Sequence, residues 1–198
     1  MQVQPLSQGS RAITDQAMAI LKRAWKHKLL SPNIKTFVWR IIRRAIATGA
    51  RAGNLSRRIN KNCDRCNTIE NDAHLLFHCH FARAVWFSSR TPLRTSLLPF
   101  EQDGIQDILA AIINTNITDS YFHRIMITLW YLWKARNDLC FQKKKWTILQ
   151  VHHAIEANIK ASEVEGKPAT YTKNVVNRTQ DYLHSRPNLL ALLALYLV

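Results

Sequence analysis

The sequence predicts an all-α fold: a helical domain with one short irregular insert and a poorly ordered C-terminal tail. Three observations support this prediction. Gly (5) and Pro (6) are scarce among the 198 residues, which suits helices better than a turn-rich sandwich. Apolar residues make up 47% of the chain, with six Trp, so a buried core is expected and not wholesale disorder. Apolar positions recur at helical spacing, and strand patterns are weak everywhere.

Two helices are predicted in the first fifty residues. The first runs from about Ile13 to Lys28, with one apolar side formed by Met18, Leu21 and Trp25. The second begins at Ser31-Pro32, an N-cap followed by proline in the first turn, and is expected to continue to Thr48. Its apolar face consists of Ile34, Phe37, Val38, Ile41, Ile42 and Ala45. Its opposite face is cationic and contains Trp39.

Further helices follow, separated by the insert at residues 60–80 and a loop at 91–103. The shorter ones are predicted at Leu55–Ile59, Phe81–Ser88 and Ile105–Ile113. Thr118 caps the longest, which ends near Gln142, and Thr147 caps the last, which ends near Gly166. The long helix carries an apolar seam for packing against another helix, made of Phe122, Met126, Leu129, Trp133 and Cys140. We therefore divide the chain into a domain at 13–90, a helical region at 101–164 and a tail at 165–198.

The insert contains a cysteine–histidine cluster. Cys63-Asp-Arg-Cys66 is followed after seven residues by His74 and after four more by Cys79. A C-x2-C pair on a turn points two thiolates at one metal, and a second pair from a helical segment completes a tetrahedron. Three of the four cysteines fall within these 17 residues, so we predict a structural Zn²⁺ site with these four ligands. Three thiolates and one imidazole leave no position open for water, so the predicted role is to hold the fold.

Neighbouring residues offer alternative ligands. A site built on His74 and His78 would have a gap of seven residues between its ligand pairs, against about twelve in the familiar Cys2His2 finger. Cys79 is also the softer ligand, which zinc prefers. We therefore expect His78 and His80 to be spectators and Cys140 to lie in the core. The simplest alternative is that the cluster consists of small buried thiols and a surface histidine.

Positive charge is concentrated in the first half of the chain. The formal net charge is +15, and residues 1–100 hold 17 Lys/Arg against 4 Asp/Glu. Between Lys22 and Arg65 there are 13 basic residues and one acid, Asp64. Solubility is normally achieved with mixed signs, so this asymmetry indicates a polyanionic partner. The predicted nucleic-acid-binding residues are Lys35, Trp39, Arg40, Arg43, Arg44, Arg51, Arg57, Arg58 and Arg65. Singly, each cation could be part of a solvated face, and Trp39 could instead pack against the insert or the first helix.

The order and spacing of these residues resemble a known family. The residues that carry the resemblance are Trp25, Pro32, Ile34-Lys35, Phe37, Trp39-Arg40, Leu55, Arg58, Cys63, Cys66, His74-Leu75, Phe77, Cys79, Phe81 and Val85-Trp86. From about Ala24 to Phe87 the chain is similar to the reverse transcriptase zinc-binding domain of plant non-LTR (LINE-type) retrotransposons. The downstream Trp130-Tyr-Leu-Trp133-Lys-Ala-Arg136-Asn137 resembles a helix often found in the same elements.

The sequence departs from the family pattern in two respects. Glu70 can be the acid that precedes the histidine, but the usual threonine is absent. Paired polymerase aspartates and ribonuclease H carboxylates are also lacking, so the resemblance implies a truncated or stand-alone copy.

The expected function is a zinc-stabilised nucleic-acid-binding module derived from such a retroelement. It would contact the phosphates of RNA or an RNA–DNA hybrid through its basic helical face. The alternatives are a protein-interaction scaffold that docks a partner through Trp130 and Trp133, or a relic without function. We expect no enzymatic activity, since no carboxylate pair lies beside His78 or His80. We also expect no small-molecule substrate, no membrane contact and no secretion. Charge suggests a nuclear location, and the oligomeric state stays open.

Overall fold

The computed structural model describes residues 13–56, 58–98, 104–113 and 117–166. Its helices are α1 (Asp15–Lys26), α2 (Pro32–Ile42), α3 (Gly49–Leu55), α4 (His80–Phe87), α5 (Gly104–Ile112), α6 (Asp119–Gln142) and α7 (Ile148–Glu165). Two short turns lie between them, a π-helical turn at His74–His78 and a 3-10 turn at Thr95–Leu97. In the described ranges, extended pairing is limited to one isolated bridge between Asn62 and Ile69. The all-α prediction is confirmed, whereas residues 167–198 of the predicted poorly ordered tail lie outside the described residues.

Side-chain caps define where most of these helices begin. The hydroxyl oxygens of Ser31, Thr118 and Thr147 accept hydrogen bonds from backbone N–H groups in the first turns of α2, α6 and α7. Thr147 also forms a reciprocal capping box, because the Gln150 side chain accepts from the Thr147 N–H at 2.8 Å. These contacts satisfy N–H groups that have no partner within the helix. The predicted starts of all three helices are confirmed.

The predicted extents of α2 and α3 are wrong. The second helix ends at Ile42 and not near Thr48, and Arg44 follows it with a left-handed φ of 53°. The next helix is α3, which begins after the Thr48 cap and ends where the predicted Leu55–Ile59 helix would have begun. Long-range contact explains its position, because the backbone N–H of Gly49 donates to the buried Glu70 carboxylate at 2.8 Å. A Cβ at Gly49 would lie 2.8 Å from the Lys61 carbonyl oxygen, so this approach requires glycine.

The apolar side of α1 also differs from the prediction. Met18 and Trp25 are 36% and 52% exposed, and Leu21 is the only member of the predicted stripe in the core. The buried face instead includes Ala17, Ile20 and Ala24. Two of these side chains are alanines, and small residues allow α1 to approach α2 and α5 closely. Size at the contact, and not hydrophobicity alone, decides which face is buried.

One hydrophobic core connects the first and last helices. It includes residues from Ala17 on α1 to Ile159 on α7, and it is shared by the predicted segments 13–90 and 101–164. Helix α6 lies at its centre and packs against α2, α7 and the π-helical turn. The seam residues Phe122, Met126 and Leu129 are fully buried there. None of the helices in the described ranges combines the length and apolar character needed to cross a bilayer.

Trp130 and Trp133 belong to this core and do not form an open seam. Both are partly buried, and their ring centroids lie 5.4 and 5.3 Å from that of Phe37 on α2. The two indoles also contact each other at 5.3 Å. Packing against α2 therefore covers part of the area that the scaffold alternative would offer to a partner.

A buried histidine pair joins the start of α6 to the end of α1. The rings of His27 and His123 stack with centroids 4.9 Å apart, and His123 is 3% exposed. Burial first, and then the nearby His27 and Arg124, lower the pKa of His123 from 6.5 to about 4. Burial also lowers the pKa of His27, although Asp119 partly opposes that shift. Both imidazoles are therefore neutral in the folded protein near pH 7.

We expect acid to destabilise the fold through His123. The folded pKa of His123 lies below its unfolded value. Neutral His123 therefore costs the fold no stability above pH 6.5, and protonation of the unfolded chain lowers the free energy of unfolding as pH falls toward 4. By linkage the loss is about 2 kcal/mol at pH 5. Urea unfolding at pH 7 and pH 5 should show a smaller pH effect for His123→Gln than for the wild type, with the exposed His153→Gln as control. An equal pH dependence in all three chains would contradict the prediction.

Candidate metal centre

The first ligand pair lies on a tight turn. The Cys63 carbonyl accepts from the Asn67 N–H at 2.9 Å, and the Cys63 N–H donates to the Thr68 carbonyl at 2.8 Å. Asn67 has a left-handed φ of 59°, which asparagine tolerates better than most residues. The N–H of Arg65 also points at the Cys63 sulfur, at 3.4 Å. The turn thus brings the Cys63 and Cys66 side chains to one side of the chain.

The second ligand pair is set by the π-helical turn His74–His78. The Cys79 N–H donates to the His74 carbonyl at 2.7 Å, which closes a five-residue turn and brings both side chains to the same side. The Asn71 side chain accepts from the His74 N–H at 2.7 Å and fixes the start of the turn. Trp86 on α4 holds the π-helical turn in place, because its indole N–H donates to the Leu76 carbonyl at 2.8 Å. The wide turn is a local π-bulge of the kind found at functional sites.

The four predicted ligand atoms converge. Cys63 Sγ lies 3.9 Å from Cys79 Sγ, Cys66 Sγ lies 3.2 Å from His74 Nε2, and all four atoms lie within 4.8 Å of one another. With standard Zn–S and Zn–N bonds, the edges of a tetrahedral site are about 3.8 Å between sulfurs and about 3.5 Å from sulfur to nitrogen. These two separations lie close to those edges, and the donor set suits a tetrahedral metal ion. Three of the side chains are buried and Cys66 is half-buried.

Neighbouring groups shift the pKa values of Cys63, His74 and Cys79 within the cluster. A hydrogen bond with Cys79 and then burial raise the pKa of Cys63 to about 12. The same hydrogen bond lowers the pKa of Cys79. For His74, burial lowers the pKa, but hydrogen bonds and charges from Cys63 and Cys66 outweigh it and raise the value. Metal binding must therefore displace at least one proton from this cluster.

The alternative ligands lie outside the cluster. In the described part of the chain, the group of side chains that can hold a metal comprises only the four predicted residues. His80 is exposed on the first turn of α4, and His78 is half-buried at the end of the π-helical turn. Cys140 is half-buried on α6 and lines a cavity of about 20 Å³ together with Cys63 and Cys79. Burial raises the pKa of Cys140 to about 11, so this thiol is neutral at the edge of the cluster.

Two ion pairs hold the insert against the helices. Glu70, 2% exposed, accepts from Arg136 Nε at 2.9 Å and from Nη2 at 2.5 Å, and so joins the insert to α6. Arg51 on α3 forms a bidentate pair with Asp72 at 3.0 and 2.9 Å. Sequence reasoning assigned no role in holding the insert to Asp72 or Arg136. The available signal was that Glu70 and Asp72 are two of only four acids in residues 1–100.

Two of the predicted nucleic-acid contacts have partners within the protein. Arg51 is held by Asp72, as described above. The Arg65 guanidinium lies 3.6 Å from the centroid of the Phe81 ring, and its Nη2 donates to the Trp146 carbonyl at 3.4 Å. Burial lowers the pKa of Arg65. Both arginines therefore contribute to packing around the cluster, and Arg57 lies outside the described residues.

The other predicted contacts lie at or near the surface. Arg43, Arg44 and Arg58 are exposed, and Lys35 and Arg40 are half-buried. Lys35 Nζ donates to the carbonyl of Trp25 at 3.0 Å. Trp39 is 40% exposed, so packing does not bury its indole.

Comparison with known proteins agrees with this geometry. Residues 8–86 match the sequence profile of a family described as zinc-binding in reverse transcriptase. The matched segment is less than half of the chain and contains all four clustered residues. It supports a reverse transcriptase zinc-binding domain in the first half of the chain. No match was found among curated proteins or among solved structures.

Proposed function

We propose that the chain is a zinc-stabilised nucleic-acid-binding module that contacts the phosphates of RNA or an RNA–DNA hybrid. The observation that carries the proposal is the position of the four-residue cluster directly after an acid-free, basic stretch. No Asp or Glu occurs from residue 16 to residue 63, whereas that range holds twelve Lys and Arg. The cluster and its ion pairs fix the end of this stretch to α3 and α6. A rigid surface of one charge sign is suited to a polyanion.

The metal in this proposal is zinc, held by Cys63, Cys66, His74 and Cys79. The donor set of three soft thiolates and one imidazole favours Zn²⁺ over harder cations. A bound Zn²⁺ would supply positive charge that keeps the thiolates ionised and cross-links the turn to the π-helical segment. Four protein ligands complete a tetrahedron, which supports a structural and not a catalytic role.

The origin we propose is a non-LTR retroelement of the plant LINE type. The family match to residues 8–86 supports descent from a reverse transcriptase. Phosphate binding would then be a retained property of the basic stretch.

We expect nucleic-acid affinity to fall steeply with salt, and removal of one phosphate contact to make that dependence shallower. Each neutralised phosphate contributes about 0.7 to 0.9 to the slope of log affinity against log salt concentration. Arg43 is exposed and forms no ion pair with a described residue, so Arg43→Gln should reduce the slope by about one contact. Fluorescence anisotropy on RNA and hybrid oligomers between 50 and 200 mM salt measures this slope for the wild type and for the variant.

Arg94→Gln provides the matched control. Arg94 is exposed but lies on the loop before the 3-10 turn, outside the acid-free stretch. Its removal should leave the slope unchanged. Affinity that does not depend on salt, or equal effects of the two variants, would overturn the proposed phosphate-binding surface.

A further inference from the structure

Two indole rings are exposed on neighbouring helices of the basic stretch. Trp25, at the end of α1, is 52% exposed, and Trp39, on α2, is 40% exposed. Large aromatic side chains in a folded chain are mostly buried, as Trp86 is here. Among the described residues, no aromatic ring stacks on either indole and no cation lies over one. Both rings therefore have faces available to a ligand.

Lys35 connects the two helix segments that carry the indoles. Lys35 lies one helical turn before Trp39 on the same face of α2, a rise of about 6 Å. The Lys35 ammonium group reaches α1 and donates to the Trp25 carbonyl oxygen at 3.0 Å. The end of α1 that carries Trp25 therefore lies beside the turn of α2 that precedes Trp39. A ligand a few nucleotides long could contact both.

Cations surround this aromatic surface. Lys22 and Lys26 are exposed on α1, within one turn of Trp25. Arg43 lies one turn after Trp39 and is also exposed. None of the three forms an ion pair with a residue in the described ranges. These charges are available to the phosphates of a ligand that stacks on the indoles.

The combination of exposed indoles and cations favours one kind of polyanion over others. A duplex complements the charge equally well, but its base faces are covered because the bases are stacked on one another. Unpaired bases expose their faces and stack on aromatic side chains of any orientation that leaves a face open. Exposed indoles between unpaired cations are the arrangement used for single strands.

We propose that Trp25 and Trp39 stack on the unpaired bases of a single-stranded nucleic acid, whose phosphates contact the cations beside them. This inference rests on the proposed function, in that it takes nucleic acid as the partner, and it adds that the partner is single-stranded at this surface. Stacking is indifferent to base identity, so binding at the two indoles has little sequence preference.

The test compares single strands with a duplex. Zinc-loaded full-length protein is titrated into labelled U15, dT15 and a 15-base-pair duplex by fluorescence anisotropy at fixed salt. Wild type binds U15 or dT15 more tightly than the duplex. Trp39→Ala and Trp25→Ala each weaken single-strand binding by about 5- to 100-fold and change duplex binding by less than about 2-fold. Trp39→Tyr keeps a stacking face and retains most of the affinity.

Phe87→Ala is the matched control. Phe87 is an aromatic residue on α4 that is 68% exposed and lies outside the acid-free stretch. Its removal leaves single-strand affinity unchanged, and metal content and thermal midpoint verify that every variant is folded. The U15 and dT15 arms distinguish RNA from DNA as the source of the strand.

Other outcomes separate this inference from the proposed function. Salt-dependent binding that is equal for strands and duplex, with no effect of the Trp variants, overturns the inference and leaves the proposed function standing. No binding to any of the three probes overturns both. An oligomer that Trp39→Ala converts to a monomer, with strand affinity unchanged, identifies the surface as an interface between copies and overturns the inference.

Discussion

Removal of the metal is expected to destabilise the fold strongly. Structural zinc sites contribute on the order of 10 kcal/mol to folding, comparable to the whole stability of a typical domain. The C-x2-C turn and the π-helical turn meet at Cys63, Cys66, His74 and Cys79, so a metal ion would cross-link them. Without a cation, three thiols and an imidazole remain crowded within 4.8 Å, and the raised pKa of Cys63, about 12, keeps that thiol protonated. Cys63→Ser and Cys79→Ser should each lose the metal and most of the cooperative unfolding transition.

Elemental analysis and urea unfolding, with and without chelator, measure this effect. Wild type should carry one zinc per chain and unfold in chelator at a much lower urea concentration. Cys140→Ser and His78→Ala are matched controls, since these side chains lie beside the cluster and outside the ligand set. Both should keep the metal. A well-folded wild type without zinc, or metal loss in the controls, would refute the assigned site.

Local signals in the sequence predicted much of this structure. The Ser31-Pro32 start and the Thr118 and Thr147 caps depend on residues within one helical turn, and all three are confirmed. The C-x2-C turn is equally local, so residue spacing alone indicated that the four cluster residues would meet. Periodicity also predicted the buried face of α2, from Ile34 to Ile42.

Features that depend on distant partners were not predictable. The position of α3 is set by Glu70, which lies 21 residues after Gly49. The inward orientation of Arg65 depends on Phe81 and on Trp146, which is 81 residues away. In the sequence, a cation that packs on a ring is indistinguishable from a cation that binds phosphate. Charge counts therefore overestimated the number of side chains free to contact a polyanion.

Loss of either partner of the Glu70–Arg136 pair is expected to cost about 3 to 5 kcal/mol, because it leaves an uncompensated buried charge. Glu70 is 2% exposed and the Arg136 side chain 15%. Burial lowers the pKa of Arg136, but the Glu70 charge outweighs it and raises the value, so the guanidinium stays charged. Glu70 also accepts from the Gly49 N–H, so the pair joins α3, the insert and α6.

A double-mutant cycle separates the pair from its surroundings. Glu70→Gln and Arg136→Met should each destabilise the fold in urea unfolding. The double variant should lose less than the sum of the two, because it buries no charge. Arg90→Gln is the control: its side chain is 77% exposed and pairs with Glu156 at 3.7 Å, so its loss should cost less than about 1 kcal/mol. Zinc content measured in each variant distinguishes loss of the ion pair from loss of the metal. Additive effects with zinc retained would show that Glu70 and Arg136 act independently, and the contact between insert and α6 would then depend on apolar packing alone.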